Sequence, residues 1–122
     1  MCVVDHDPGA AGARARREVA PYLDVVAPFD PTVDVPEATR AAVRGALEVG
    51  DLDTAAAAIP DHVLDRFAFA GTPQDVTRRV LVMFDAGASR VELRTSHGLD
   101  GRSGLELLGR PVLPAVRAAV SR

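Results

Sequence analysis

The sequence predicts an α/β chain built on a parallel sheet. Three short segments of strand type, the apolar runs 2–4 and 67–70 and the alternating 90–94, are separated by long stretches with helical spacing. Strands that alternate with helices imply β-α-β units and right-handed crossovers. The stretch Gly71-Thr72-Pro73 also joins a strand directly to a capped helix, as such units require.

The elements follow in order. Cys2-Val3-Val4 reads as the end of a strand. Asp7 is placed to cap a helix and Pro8 to open it. Ala11, Ala15, Val19, Tyr22, Leu23 and Val26 recur at helical spacing, which predicts a helix over 8–26. Pro21 lies inside it and predicts a kink or an early end. Pro28, Pro31 and Pro36 make 27–36 a stiff linker. A second helix follows, with Asp34 and Glu37 spaced as a capping box and Gly50 as its stop. The alanine-rich run 54–59 is a third helix, broken by Pro60, and 61–65 adds one turn.

Residues 67–70 then read as a buried strand. Thr72 caps the next helix, Pro73 opens it and Asp75 completes the box, with Val76, Val80, Met83 and Phe84 on its apolar face and Gly87 ending it. Residues 90–94 are the third strand, and 95–103 a polar loop. Ser103 and Glu106 frame a further capped turn, and Pro111 and Pro114 precede a last helix. Three strands are few to protect the edges of a parallel sheet, so the chain is expected to be part of a larger α/β body.

Composition narrows the function. A chain of 122 residues is one domain by size, and 48% apolar content excludes disorder by low hydrophobicity. The net charge of −3 argues against nucleic acid as a partner, and an aromatic content of 4% argues against stacking platforms for bases. No lysine is present, which excludes Schiff-base and phosphate-loop lysines. The single cysteine, Cys2, excludes an intrachain disulfide and reads as a core residue. No apolar run approaches the roughly 20 residues of a membrane span. Asp5, His6 and Asp7 stand where a signal peptide would be apolar, so a cytoplasmic location is expected.

Several segments resemble the luciferase-like flavin-dependent oxidoreductases. Val3-Val4-Asp5-His6-Asp7-Pro8, with Ala10-Ala11 and the arginines from Arg14 to Arg17, resembles the stretch after that family's sixth strand, and Ala20-Pro21-Tyr22-Leu23 fits the same helix. The run from Ile59 through Pro60, Asp61 and His62 to Phe67 is similar to the approach to its seventh strand. Gly71-Thr72-Pro73-Gln74-Asp75-Val76 matches its GTP-x-[DE]-V turn. Ala86-Gly87-Ala88-Ser89-Arg90-Val91-Glu92-Leu93 resembles the entry to the eighth strand, and Leu108-Gly109 with Val112-Leu113-Pro114 the closing helix. Within that family the segments resemble the branch of the 5,10-methylenetetrahydromethanopterin reductases and their relatives, which use coenzyme F420.

The resemblance covers essentially the whole chain. It implies a partial TIM (β/α)8 barrel equivalent to strands six to eight, with 1–66 as a strand end plus helical region and 67–122 as the last two β/α units. It implies hydride transfer or monooxygenation on a small-molecule substrate with coenzyme F420 or flavin mononucleotide (FMN). Most of the cofactor site would lie outside this chain. The chain alone would then be inactive, or completed by a second chain or copy. One departure concerns the substrate loop: Thr95-Ser96-His97-Gly98-Leu99 lacks the proline usual after the family's eighth strand.

Sites of such barrels lie in loops at the carboxyl ends of the strands. Gly71 and Thr72 offer backbone N–H groups at a helix start, suited to a phosphate or carboxylate; a plain capped helix is the alternative. In 90–94, Val91 and Leu93 alternate with Arg90, Glu92 and Arg94, so Glu92 and Arg94 are expected on the lumen side. Arg94 would lie nearest the mouth and suit an anion in bidentate fashion; a Glu92–Arg94 ion pair is the alternative. Ser96 and His97 follow in the loop, His97 as a hydrogen-bond donor or acid, against the alternative of a solvent-exposed histidine. The Asp5-His6-Asp7 and Asp61-His62-Asp65 groups have no convincing metal spacing and read as caps and surface pairs. A non-catalytic anion-binding module and an inactive truncated fragment remain as alternatives to the enzyme.

Overall fold

The computed structural model describes residues 1–121. Its elements in order are β1 (Cys2–Val4), α1 (Pro8–Val26), a 3-10 turn (Ala27–Phe29), α2 (Glu37–Glu48), α3 (Leu52–Ala57), α4 (Asp61–Phe67), β2 (Phe69–Gly71), α5 (Pro73–Asp85), β3 (Ser96–His97), α6 (Gly101–Leu107), a π-helical turn (Leu108–Val112) and α7 (Leu113–Val120). They form two units, one of Met1–Gly12 with the residues from Phe69 onward, the other Ala13–Ala68.

The first unit holds the sheet, and its three strands run parallel as expected. Their order is β2-β1-β3. Three consecutive barrel strands would put the second strand in the middle, whereas here the first strand holds it. The physical reason lies in composition. Cys2, Val3 and Val4 are completely buried, and a wholly apolar strand gains most from neighbours on both edges. Cys2 and Val4 pack into one cluster with Val76, Val80, Leu108, Val112 and Val116. Helices α5, α6 and α7 supply that layer.

Two strands differ from their expected bounds. Phe67 ends α4 instead of starting β2, and the amide of Ala68 donates to the Leu64 carbonyl at 2.9 Å. The ladder to β1 begins only at Phe69, opposite Cys2. Residues 90–94 are not a strand; the third strand is Ser96–His97. Pairing fixes this position. The Cys2 amide donates to the Arg94 carbonyl at 3.0 Å, and the register then sets Cys2 against Ser96 and Val3 against His97. The alternation over 90–94 survives without a ladder: Val91 and Leu93 pack against the cluster, while Glu92 and Arg94 are exposed.

The helices carry corrections of the same local kind. α1 continues through Pro21 without ending. Pro21 is exposed, while Val19, Ala20 and Leu23 are buried and hold the helix across it. Tyr22 is not on the buried face; it is 60% exposed. The expected Asp34–Glu37 box does not form, because Pro36 is the cap residue and α2 begins only at Glu37. Glu37 instead faces Arg40 and Arg44. α3 starts at Leu52, capped by Asp51, whose carboxylate accepts the Thr54 amide at 3.0 Å. Met83 is exposed at the end of the α5 face. Asp100, not Ser103, caps α6, accepting the Ser103 amide at 2.9 Å. The chain remains helical from α6 into α7, and Pro111 sits in the wide π turn between them. A wider turn relieves the ring clash and the missing N–H that a proline brings to an α-helix.

In the second unit α2 packs on α3, and Val43, Ala55, Ile59, Val63 and Leu64 are buried. Asp24 ties α1 to α2. Arg44 grips its carboxylate with Nε at 2.8 Å and Nη2 at 3.0 Å, and Arg40 Nε adds a third contact at 3.0 Å. These hydrogen bonds, that from Arg44 foremost, lower the Asp24 pKa to about 2.

Candidate functional site

Because the strands are parallel, their carboxyl ends share one edge of the sheet, and the segments leaving that edge are 5–7, 71–72 and 97–98. The Asp5 amide donates to the Gly71 carbonyl at 3.1 Å, which fixes the first two segments beside each other. Asp5 accepts the Asp7 amide at 2.8 Å, and Asp7 accepts the amides of Gly9 at 2.8 Å and Ala10 at 3.1 Å. Those carboxylates therefore serve the start of α1, as the capping reading expected. Asp61 of the other acidic group pairs with Arg16.

Gly71 has φ +142°, a backbone region open to glycine, and its turn leads straight into the cap of α5. The Asp75 amide donates to Thr72 Oγ1 at 3.2 Å, while the Thr72 amide and hydroxyl both donate to Asp75 Oδ2, at 3.0 and 2.7 Å. These bonds, the hydroxyl's foremost, hold the Asp75 carboxyl below its ordinary pKa. The Thr72 amide offered to an anion by the sequence is thus committed to a carboxylate of the same helix. A ligand there would have to displace or tolerate Asp75.

Arg94 is exposed and makes no ion pair or side-chain hydrogen bond among the described residues. Because β3 starts only at Ser96, Arg94 precedes the strand and lies at the amino end beside Cys2, not nearest the mouth at the carboxyl edge as expected. Glu92, its expected partner in the alternative reading, pairs with Arg90. Ser96 is half-buried in the ladder beside Cys2. His97 is turned elsewhere. Its ring Nε2 donates to the Leu93 carbonyl at 3.2 Å, and the side chain lines a cavity together with Val91 and Leu93. A carbonyl only accepts, so Nε2 carries the proton. The histidine is half-buried, not the solvent-exposed residue of the alternative reading.

Sequence reasoning missed one determinant of this edge. Gly98 and Gly104 approach so closely that a Cβ on Gly98 would sit 2.7 Å from the Gly104 Cα. The start of α6 is thereby pressed against the loop that follows β3. A glycine in the first turns of a helix was the available signal.

No family model matches the chain. A 5,10-methylenetetrahydromethanopterin reductase of Archaeoglobus fulgidus is 31% identical over 122 aligned positions, covering 93% of this chain and 36% of that relative. The chain is homologous to the 5,10-methylenetetrahydromethanopterin reductases. The enzyme of that name from Methanopyrus kandleri is 28% identical over 72 residues, 59% of this chain and 21% of its own length. Among solved structures, the coenzyme F420 dependent tetrahydromethanopterin reductase of Methanopyrus kandleri superposes with a TM-score of 0.70 at 22% identity. It covers 93% of this chain and 33% of that one, which shows a shared fold. The luciferase-like, F420-dependent resemblance of the sequence is borne out at the level of these homologues. The chain spans about a third of the length of the Archaeoglobus reductase. Among the described residues, no helix is long and apolar enough to cross a membrane.

Proposed function

We propose that the chain supplies part of a coenzyme F420-dependent oxidoreductase that acts on a small-molecule substrate, with Arg94 as its anion contact. The observation that carries this reading is the 31% identity to a methylenetetrahydromethanopterin reductase across 93% of the chain. Of the two cofactors left open by the sequence, coenzyme F420 is the one named for the solved neighbour. FMN has no such support. A second chain or copy would complete the body, either as the remainder of a barrel to which this chain adds the last three strands or as a separate subunit. In the barrel form β2 would have to lie between β1 and β3.

The residues present fit such a role at one point. Arg94 is an exposed guanidinium without a partner among the described residues, and its planar fork suits a phosphate or carboxylate of substrate or coenzyme. Gly71 and Thr72 stand at the carboxyl end of β2, across β1 from β3 and at the other end of the sheet from Arg94, so they are a separate feature from this contact. Coenzyme F420 in its reduced form would supply the hydride. The protein's part is binding and orientation. His97 belongs to the cavity it lines and is left out of this contact set. The chain alone is expected to bind without turning over, since it spans a third of its relatives.

The test is a fluorescence and thermal-shift titration of the chain with coenzyme F420 and with FMN. Coenzyme F420 should bind and raise Tm, FMN should not, and Arg94→Gln should weaken binding about tenfold, as expected for loss of a charge-assisted contact. A folded chain that binds neither refutes a cofactor site within this chain alone and leaves the fragment and anion-binding readings standing.

A further inference from the structure

We propose that the half-open cavity between α5, residues 91–97 and the helical run from α6 to α7 binds a monocarboxylate with an apolar tail. The cavity holds about 560 Å³, within the range of about 300–1,000 Å³ common for small-molecule sites. Its walls are apolar, with Val80, Phe84, Val91, Leu93, Leu108 and Val112 among them. Arg94, Gly71 and Thr72 do not line it; His97, from the segment leaving the carboxyl edge, is the one candidate residue that does.

Two side chains of the lining carry N–H groups, His97 and Arg117, and none is acidic. Arg117 is exposed and has no ion pair or side-chain hydrogen bond among the described residues. His97 spends its Nε2–H on the Leu93 carbonyl at 3.2 Å and Nδ1 of that tautomer accepts, so Arg117 is the donor left for an anion. Apolar walls draw a hydrocarbon tail out of water. The same walls give a charge nothing to replace its hydration, so a charged group must end on the polar rim. A guanidinium at that rim suits a carboxylate, which it can hold with two parallel hydrogen bonds. One such group calls for one carboxylate. A small anion without a tail would leave the walls unfilled, and a neutral alcohol would leave Arg117 without a countercharge.

The experiment is calorimetric and thermal-shift titration of the full chain with decanoate, decanol and acetate. Decanoate should bind saturably and raise Tm, with decanol and acetate at least about tenfold weaker, as expected when a charge-assisted contact or the apolar contact is missing. Arg117→Gln should lower decanoate affinity about tenfold while the Tm of the free protein stays the same, because the side chain is exposed and unpaired. Leu105→Asp, which puts a negative charge on the exposed rim, should also weaken decanoate. The proposal fails if decanoate binds Arg117→Gln as well as the parent chain, or if decanol matches decanoate. It fails equally if the chain dimerises through this face and takes up no decanoate.

Discussion

A Cβ on Gly104 would lie 2.6 Å from the carbonyl oxygen of His97 and nearer still to the amide nitrogen of Gly98. Two stretches of backbone therefore meet without a side chain between them, and this contact sets α6 against the end of β3. The loop carrying the candidate residues 94–98 is held from behind by a glycine six residues beyond Gly98.

Gly104→Ala should destabilise the fold by about 1–3 kcal/mol, the usual cost of overpacking, because the neighbours that must yield are backbone atoms. Gly45→Ala should do the opposite. Gly45 lies exposed within α2, and a Cβ there meets nothing within 4 Å. Alanine in a helix interior is favoured over glycine by about 0.5–1 kcal/mol. Urea denaturation of the two variants should give midpoints on opposite sides of the parent. A Gly104→Ala midpoint equal to the parent's would contradict the close approach.

Thr72→Ala removes the side chain that both accepts the Asp75 amide and donates to the Asp75 carboxylate. Loss of such a cap costs about 1 kcal/mol. Asp75 should titrate closer to an ordinary aspartate in the variant, because the Thr72 hydroxyl is the largest cause of its lowered pKa. Carboxyl chemical shifts followed by NMR against pH would show it. An unchanged Asp75 titration would mean that the box contributes nothing to the helix start.

The ends of α1 and the whole of α5 were legible because their signals are local. Asp7 with Pro8, and Thr72 with Pro73 and Asp75, act within one helical turn. The committed Thr72 amide was equally legible, since the residue that completes the box is the one that takes the amide. The strand positions were not, because register is a property of pairs. Residues 90–94 alternate as a strand would, yet the ladder forms where Cys2 and Val3 lie, opposite Ser96 and His97. The central place of β1 follows from competition among three strands for two-sided pairing, which no single segment displays. That Arg94 faces away from Val91 and Leu93 was legible from their alternation; its exposure ahead of β3 was not, since it follows from where the ladder forms. The turn of His97 toward Leu93 was not, because His97 has φ +69°, outside the extended region that strand alternation assumes.

Asp24 gives the acid dependence a definite direction. Its carboxyl is held to about 2, chiefly by the hydrogen bond from Arg44, whereas an aspartate in the unfolded chain titrates near about 3.9. Below that value the unfolded state binds more protons than the folded state, so stability falls as pH drops. The contribution is complete above the unfolded pKa and is lost as pH falls through about 2. Asp24→Asn should lower the urea midpoint at neutral pH and flatten its decline in acid. A variant whose decline parallels that of the parent would show that other carboxylates control acid unfolding.

Cys2 reports on the centre of the sheet. It is completely buried in β1, and burial pushes its thiol up from 9.0 to about 11. The thiolate is the reactive form, so the folded protein should resist iodoacetamide at neutral pH and react only as it unfolds. The linkage runs opposite to that of Asp24. Between the unfolded and the folded pKa the unfolded chain holds fewer protons, so stability should decline as pH rises from about 9 toward about 11. Cys2→Ser should remove the labelling and this part of the alkaline decline, and should lower stability at neutral pH by placing a hydroxyl in the apolar cluster with Val76 and Val112. Rapid labelling of the native protein would place Cys2 at an open edge instead, and with it would fall the assignment of β1 to the middle of the sheet.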